Sequence, residues 1–255
     1  MMNRTIVAGA SLLLATAAMP AWANGLAEMR AALERASVTT PVKAALEART
    51  WRRTGEGKDA EDDQGQLSVT IDDGARGLTI VYGKELLARI ENEKKARSKN
   101  PDAKAPTSSA LTEVSPTNVL PFISAAPTLS RSIEKGVLKG ERAETYQGKP
   151  ARVLTFDIPM STLSKQSLKY AKKFDSTIEV WIGADGMPLA SRSRQNVSGR
   201  AFVVVSFEST YEENAVYALA GERLVTVKRD TRGTSSGAGE KQEFKNSSTM
   251  SLQAP

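Results

Sequence analysis

The chain has 255 residues, with 35 Lys and Arg against 29 Asp and Glu, a formal charge of +6, and neither His nor Cys. The two zeros exclude Ser-His and Cys-His catalysis, His- or Cys-ligated metals, disulfides and iron–sulfur clusters. With 40% hydrophobic and 25% charged residues, the composition is that of a globular protein of one large or two small domains.

The chain opens with one cation, Arg4, followed by an apolar, uncharged stretch over residues 6–18 and by Ala21-Trp22-Ala23. This is the pattern of a secretory signal peptide, residues 1–23, cleaved before Asn24. A membrane-spanning helix needs about 20 apolar residues, more than this stretch supplies. No Cys follows it to take a lipid anchor, and no second long apolar segment occurs. The expected product is a single domain over residues 24–255, exported to the periplasm, with no transmembrane segment. An exported chain without disulfides must draw its stability from a hydrophobic core.

Leu26, Met29, Leu33 and Ala36 recur at helical spacing and predict an amphipathic helix over 25–37. Pro41 followed by Val42–Arg49, rich in Ala, Leu, Glu, Lys and Arg, suggests a second short helix. Trp51 then marks the passage to strand, and is expected to lie buried beneath the first helix. Leu67, Val69 and Ile71 alternate with Ser68 and Thr70, as in a half-buried strand. Asp72-Asp73-Gly74 is a turn, and Gly77–Gly83 the next strand. Lys84–Arg97 returns to helix, with Leu86, Leu87 and Ile90 on one side. Ser98–Ser109 is polar and contains prolines, which predicts an exposed loop.

Val119, Leu120, Phe122 and Ile123 form an apolar cluster behind the cap candidates Ser115 and Asn118. Leu129 and Ile133 continue it, and Gly136 is placed to stop it. Beyond Val137 the signals are those of antiparallel strands. Val137–Gln147 and Ala151–Ile158 flank Gly148. Thr177–Gly183 turns at Asp185-Gly186 into Pro188–Gln195, and Ala201–Tyr211 is rich in Val and Phe. Arg223–Thr231 and Lys241–Met250 form a last hairpin around a Gly/Ser turn at Gly233–Gly239. About ten strands result. Short hairpins dictate antiparallel pairing, and a sheet of that size curls. The expected class is α+β: a curved antiparallel sheet or half-open β-barrel with helices on the concave face.

Two stretches, Glu144–Phe156 (ETYQGKPARVLTF) and Thr177–Arg192 (TIEVWIGADGMPLASR), resemble the strand and hairpin motifs of the LolA-like periplasmic lipoprotein-carrier superfamily, which includes regulators of the RseB/MucB type. Of that superfamily's third-strand pattern, Asp73–Tyr82 keeps Asp73-Gly74 and Tyr82. The resemblance implies a half-open barrel roofed by helices and a non-enzymatic role: binding or carrying a hydrophobic ligand, a lipid or an acylated protein. The candidate wall residues are Leu78, Ile80, Phe156, Ile178, Val180 and Ile182, with the helices 25–37 and 119–133 as lids. The same side chains serve equally as a filled core. The chain is then an interaction or regulatory module of the cell envelope with a protein partner.

Other patterns are weaker. Lys165, Lys169 and Lys172, with Lys173 beside them, share one face if 160–174 is helical and could meet phosphates or an acidic partner. Arg192, Arg194 and Arg200 form a second basic run; solvated faces account for both. Ser132-x-x-Lys135 has the spacing of a Ser-Lys pair, without the companion motifs of penicillin-recognising enzymes. Asp59–Asp63 is acidic but lacks the Gly and Glu of an EF-hand loop. No cofactor, metal or nucleic-acid partner is expected.

Overall fold

The computed structural model describes residues 24–201 and 205–253. The predicted signal peptide lies outside them, as do residues 202–204 of the expected strand 201–211. Ten antiparallel strands form one sheet: β1 (Val42–Thr54), β2 (Glu61–Gly74), β3 (Gly77–Val81), β4 (Val137–Tyr146), β5 (Lys149–Asp157), β6 (Ala171–Ile182), β7 (Pro188–Ala201), β8 (Val205–Ala220), β9 (Arg223–Gly237) and β10 (Glu240–Leu252). Their order is β3-β2-β1-β10-β9-β8-β7-β6-β5-β4. The sheet is curved and open: β3 and β4 are its two edges, so it does not close into a barrel.

Most neighbours are hairpins with short turns. Gln147-Gly148 and Ala238-Gly239 both carry two positive φ values, the geometry that matches the twist of adjoining strands. The last turn is therefore two residues long. Of the Gly/Ser segment Gly233–Gly239 expected to form it, residues 233–237 belong to β9 and Ala238-Gly239 make the turn, and Phe side chains lie against two of the β9 glycines. A Cβ on Gly233 would lie 2.7 Å from the Phe244 ring, and one on Gly237 would lie 3.3 Å from Phe207.

Two junctions are not hairpins: β5 reaches β6 through a connection that contains a short helix, Lys165–Tyr170, and β1 meets the last strand of the sheet. β1 pairs with β10 over eleven residues, from Ala44 opposite Leu252 to Thr54 opposite Gln242. This corrects the expected helix over Val42–Arg49. Its residues have high helix propensity, but Val42, Ala44, Leu46 and Ala48 are buried and alternate with exposed Lys43, Glu47 and Arg49. Period two on a strand held between β2 and β10 prevails over intrinsic propensity.

The register puts Val180, Ser191, Ala215, Arg229, Ser248, Ala48 and Leu67 in one row across seven strands. The helices pack on this face in two groups. α1 (Gly25–Arg35) and α5 (Ala125–Glu134) cover Leu154, Phe156, Ile178, Val180 and Ile182 with Met29, Leu33, Leu129 and Ile133. α2 (Lys84–Lys99), α3 (Pro106–Ala110) and α4 (Pro116–Ile123) cover β1 and β2: Leu86, Ala110, Val119 and Phe122 meet Leu46, Leu67, Val69 and Ile71. A sixth helix, α6 (Lys165–Tyr170), packs at the start of β6 and the end of β7.

The loop expected over Ser98–Ser109 is another correction. α2 runs to Lys99, and α3 follows with Ala105, Thr107 and Ala110 buried. Glu93 makes this possible. Its carboxylate accepts hydrogen bonds from the Thr107 and Ser108 amides at 2.9 and 2.8 Å and from the Ser108 hydroxyl at 2.8 Å. Burial opposes the charge, but these hydrogen bonds outweigh it and hold the Glu93 carboxyl below its ordinary range. A cap supplied fourteen residues upstream leaves no mark in local polarity. α3 also comes within van der Waals reach of β2 at Gly65, where a Cβ would stand 2.5 Å from the Pro106 carbonyl and 2.9 Å from the Ala110 amide.

Gly65→Ala is accordingly expected to destabilise the fold by about 1–3 kcal/mol, because backbone on α3 must yield. Chemical denaturation of wild type and variant measures it; an unchanged midpoint would contradict the close α3–β2 approach.

Candidate functional site

The six predicted wall residues fall into two groups. Phe156, Ile178, Val180 and Ile182 lie side by side on β5 and β6 beneath α1 and α5, at 2%, 8%, 0% and 0% exposure. Leu78 and Ile80 lie on edge strand β3, partly buried against the other cluster. The structure thus brings four together and separates two. The surface depression described below is lined by other residues.

Between the two clusters the helix-bearing face is polar. The Tyr217 and Ser191 hydroxyls are 2.7 Å apart, the Tyr211 hydroxyl donates to Glu213 at 2.9 Å, and Asn246 donates to Glu113 at 3.0 Å. The Arg229 guanidinium stands 4.9 Å over the Phe122 ring and 3.9 Å from Glu113. Burial raises the Tyr217 phenol well above its usual range, and burial together with Glu213 does the same to Tyr211. Burial also raises Glu113, against the pull of Arg229 and Arg52. This seam divides the apolar interior. Among the described residues no buried side-chain polar atom lacks a partner, as a packed interior requires.

The opposite, helix-free face carries the chemistry. Two rows of register partners cross it. The first is Arg49, Ser247, Asp230, Asn214, Arg192 and Glu179, on β1, β10, β9, β8, β7 and β6. The second, two residues along each strand, is Trp51, Lys245, Arg232, Glu212, Arg194 and Thr177. Within the first row the Ser247 hydroxyl donates to Asp230 at 2.6 Å, and Arg192 donates to Asn214 at 2.9 Å while lying 5.5 Å over Trp181. Within the second, Lys245 sits 4.6 Å over Trp51, and Glu212 receives Arg232 at 2.9 Å and Arg194 at 3.5 Å. Asn214 donates to Glu212 at 3.0 Å and ties the rows together.

These rows line a depression of about 540 Å³ that reaches from Arg49 and Trp51 to Arg192. Arg49, Arg192, Arg232 and Lys245 face it, against two carboxylates, Glu212 and Asp230. Arg49 has no ion-pair or hydrogen-bond partner among the described residues. The site therefore presents guanidinium and ammonium donors beside one indole ring, which suits anionic groups on an extended ligand.

Trp51 is corrected by this geometry. It lies on the face away from α1 and is half-exposed, because strand alternation puts it opposite Lys245 rather than in the core. Arg192 and Arg194, which the sequence offers as a basic run for phosphates or an acidic partner or as a solvated face, belong to these rows; Arg200 is exposed farther along β7. The legible signal was alternation: Arg49-x-Trp51-x-Arg53 and Arg192-x-Arg194. That the two strands contribute to one surface depends on β10, β9 and β8 lying between them.

The remaining motifs do not assemble. The Ser132 hydroxyl donates to the Thr128 carbonyl at 3.1 Å, while Lys135 is the exposed C-cap of α5, and no hydrogen bond joins the two among the described residues. Asp63 accepts from Ser109 at 2.7 Å and Asp62 faces Arg53 at 3.8 Å, so strand alternation turns the acidic run to both sides of β2. No group of three or more His, Cys, Asp or Glu suited to a metal occurs among the described residues.

Two measurements test this face. Trp51→Ala is expected to lower stability by about 1 kcal/mol, against about 2–5 kcal/mol for Leu154→Ala in the core, by urea unfolding. Equal losses would return Trp51 to the core. The second concerns Glu212. Hydrogen bonds from Asn214 and Arg232 lower its carboxyl from an ordinary 4.5 to about 2. A depressed pKa stabilises the fold above pH 4.5, and that contribution disappears as pH falls from 4.5 to 2. Glu212→Gln should therefore be less stable than wild type at pH 7, with the gap closing toward pH 2; a gap independent of pH would refute the network.

No family model matches the chain, and no curated protein or solved structure is detectably similar to it.

Proposed function

We propose that this chain is a non-enzymatic binding protein of the cell envelope, exported by residues 1–23, and that it binds at its surface rather than in an interior cavity. Its partner is an extended acidic segment of another protein, held along the helix-free face. The observation that supports this most directly is the Arg49–Trp51–Arg192–Arg232–Lys245 surface, carried by four strands, with Arg49 uncommitted. An acidic strand or loop laid there gains charge-assisted hydrogen bonds and stacking on Trp51, and loses them as salt rises. The interior is spoken for: side chains of α1, α4 and α5 and the polar Tyr211–Glu213–Glu113–Arg229 seam occupy the other face.

The carrier reading, in which the fold is LolA-like and the helix-bearing face is the concave one, keeps one observation in its favour. Phe156, Ile178, Val180 and Ile182 form a continuous apolar wall beneath two short helices, and α1 is latched there through Glu28 to Arg152, which also holds Glu141 at 3.2 Å. Helices that swing away would expose that wall to an acyl chain, at about 0.8 kcal/mol for each CH₂ buried.

Native mass spectrometry of residues 24–255, purified without detergent, separates the readings. Surface binding predicts a protein free of lipid. It also predicts a one-to-one complex with an Asp/Glu-rich peptide, weakened about tenfold or more in Arg49→Gln/Arg232→Gln. Peptide bound equally by wild type and variant would refute the site. Stoichiometric lipid on wild type, lost from a folded Val180→Asp variant, would establish the carrier instead.

A further inference from the structure

The end of the sheet capped by α6 carries a cluster of cations distinct from the face just described. Lys165 and Lys169 stand one turn apart on α6, Lys172 and Lys173 follow at the start of β6, and Arg200 lies at the end of β7, next to Gly199, which pairs with Ala171. The α6 fold-back is tight: a Cβ on Gly199 would overlap the Tyr170 carbonyl oxygen, at 2.0 Å. The helix is thereby fixed against β7, and its lysines are held at this end. All five cations are exposed, and none is within ion-pair distance of a carboxylate among the described residues. Some exposed cations elsewhere are paired, as Lys95 is with Glu91, Lys139 with Asp157 and Lys241 with Glu56, and others, such as Lys84, Lys94 and Lys99 along α2, are not; what sets the α6 end apart is that five unpaired cations gather at one end of the sheet. The acids nearest along the register are Asp175 on β6 and Glu208 on β8, opposite Ser198. Leu168, on the same turn of α6, is 39% exposed.

We propose that the α6 end is a docking surface for an anionic lipid bilayer. Unpaired ammonium groups on long flexible stems suit phosphates that move laterally. They gain from a charged plane what no single carboxylate supplies. A protruding leucine among them enters the acyl boundary, the combination that holds peripheral proteins to membranes without a spanning segment. No helix among the described residues is long and apolar enough to cross a membrane, so attachment here is by surface contact. The groove of the proposed function stays free, because it lies on the sheet face and not at this end.

The test uses residues 24–255 and large vesicles of phosphatidylcholine with or without phosphatidylglycerol, with bound protein measured by co-sedimentation. Wild type binds the anionic vesicles at low salt, does not bind the neutral ones, and is released as salt rises. Each lysine neutralised should cost about fivefold in binding. The variant Lys165→Gln/Lys169→Gln/Lys172→Gln/Lys173→Gln should therefore fall by about 600-fold. A control with Lys84, Lys94, Lys95 and Lys99 of α2 changed to Gln has the same net charge and should bind as wild type does. Circular dichroism and thermal unfolding confirm that both variants fold. Absence of wild-type binding to anionic vesicles, equal binding to neutral ones, or equal losses in the two variants would each overturn the assignment. So would an acidic peptide that displaces wild type from vesicles by occupying the α6 lysines, since it would identify the partner as protein. Failure of the groove variants to weaken peptide binding leaves these vesicle results unaffected, so the two proposals fail separately.

Discussion

The β1–β10 ladder is the constraint on which the architecture rests. β2 and β3 form one hairpin system with β1, and β4 through β10 form a meander with α6 set between β5 and β6. Eleven register pairs between the first strand and the last weld the two parts. Both faces depend on it. On one side it sets Leu46 beside Met250 under α4; on the other it sets Trp51 beside Lys245 and Arg49 beside Ser247. A shift of one residue would exchange these sets, turning core outward and charge inward, so the buried alternation of β1 also enforces the register. Pairing strands from opposite ends of the chain is entropically costly to nucleate, and folding is expected to wait on it.

The helix-bearing face shows how a sheet this wide stays closed to water without closing on itself. Two apolar clusters, each with its own helices, sit at either flank of the polar seam. Arg223, 5% exposed, ties them together: it pairs with Asp73 at 2.8 Å and donates to the Thr40 carbonyl at 2.9 Å, joining the start of β9, the end of β2 and the linker after α1. A buried pair of this kind contributes little net stability, but removing either partner leaves a charge without compensation. It serves to align the parts. Thr226 does the same for α4 by donating to the Pro121 carbonyl at 3.0 Å, one of the carbonyls in the last turn of the helix that have no partner within it.

The helix-free face is organised differently. Its side chains compensate one another along and between rows, with Glu212 at the hub, yet leave cations in excess. A surface like this costs little to keep in water and favours a ligand that completes its charge balance. The lipid-docking end follows the same rule more simply, with lysines that have no partners to exchange. The Ser132 hydroxyl hydrogen-bonds its own helix, and Lys135 is exposed at the end of that helix, so the two do not form a pair.

Much of the fold was legible in the chain. Hydrophobic period predicted α1, most of α2, the hairpins of β4–β7 and the number of strands, because these depend on contacts between near neighbours. Residue types alone limited the chemistry, since a chain without His or Cys cannot build the sites those residues supply. Local reading failed at Val42–Arg49, at 98–109 and at Trp51, and in each case the deciding partner lies far along the chain. β10 makes a strand of helix-forming residues, Glu93 caps a helix inside a polar stretch, and Lys245 accompanies a tryptophan on the outer face. The wall residues were recognised as buried, but burial is shared by a cavity and a core. Alternation does not separate those two, because it records which face a side chain takes and not what meets it there. The sequence by itself thus determined the elements that near neighbours hold together and the residue types from which any site must be built. Tertiary structure alone decided which strands are neighbours, and with them which charges share a surface.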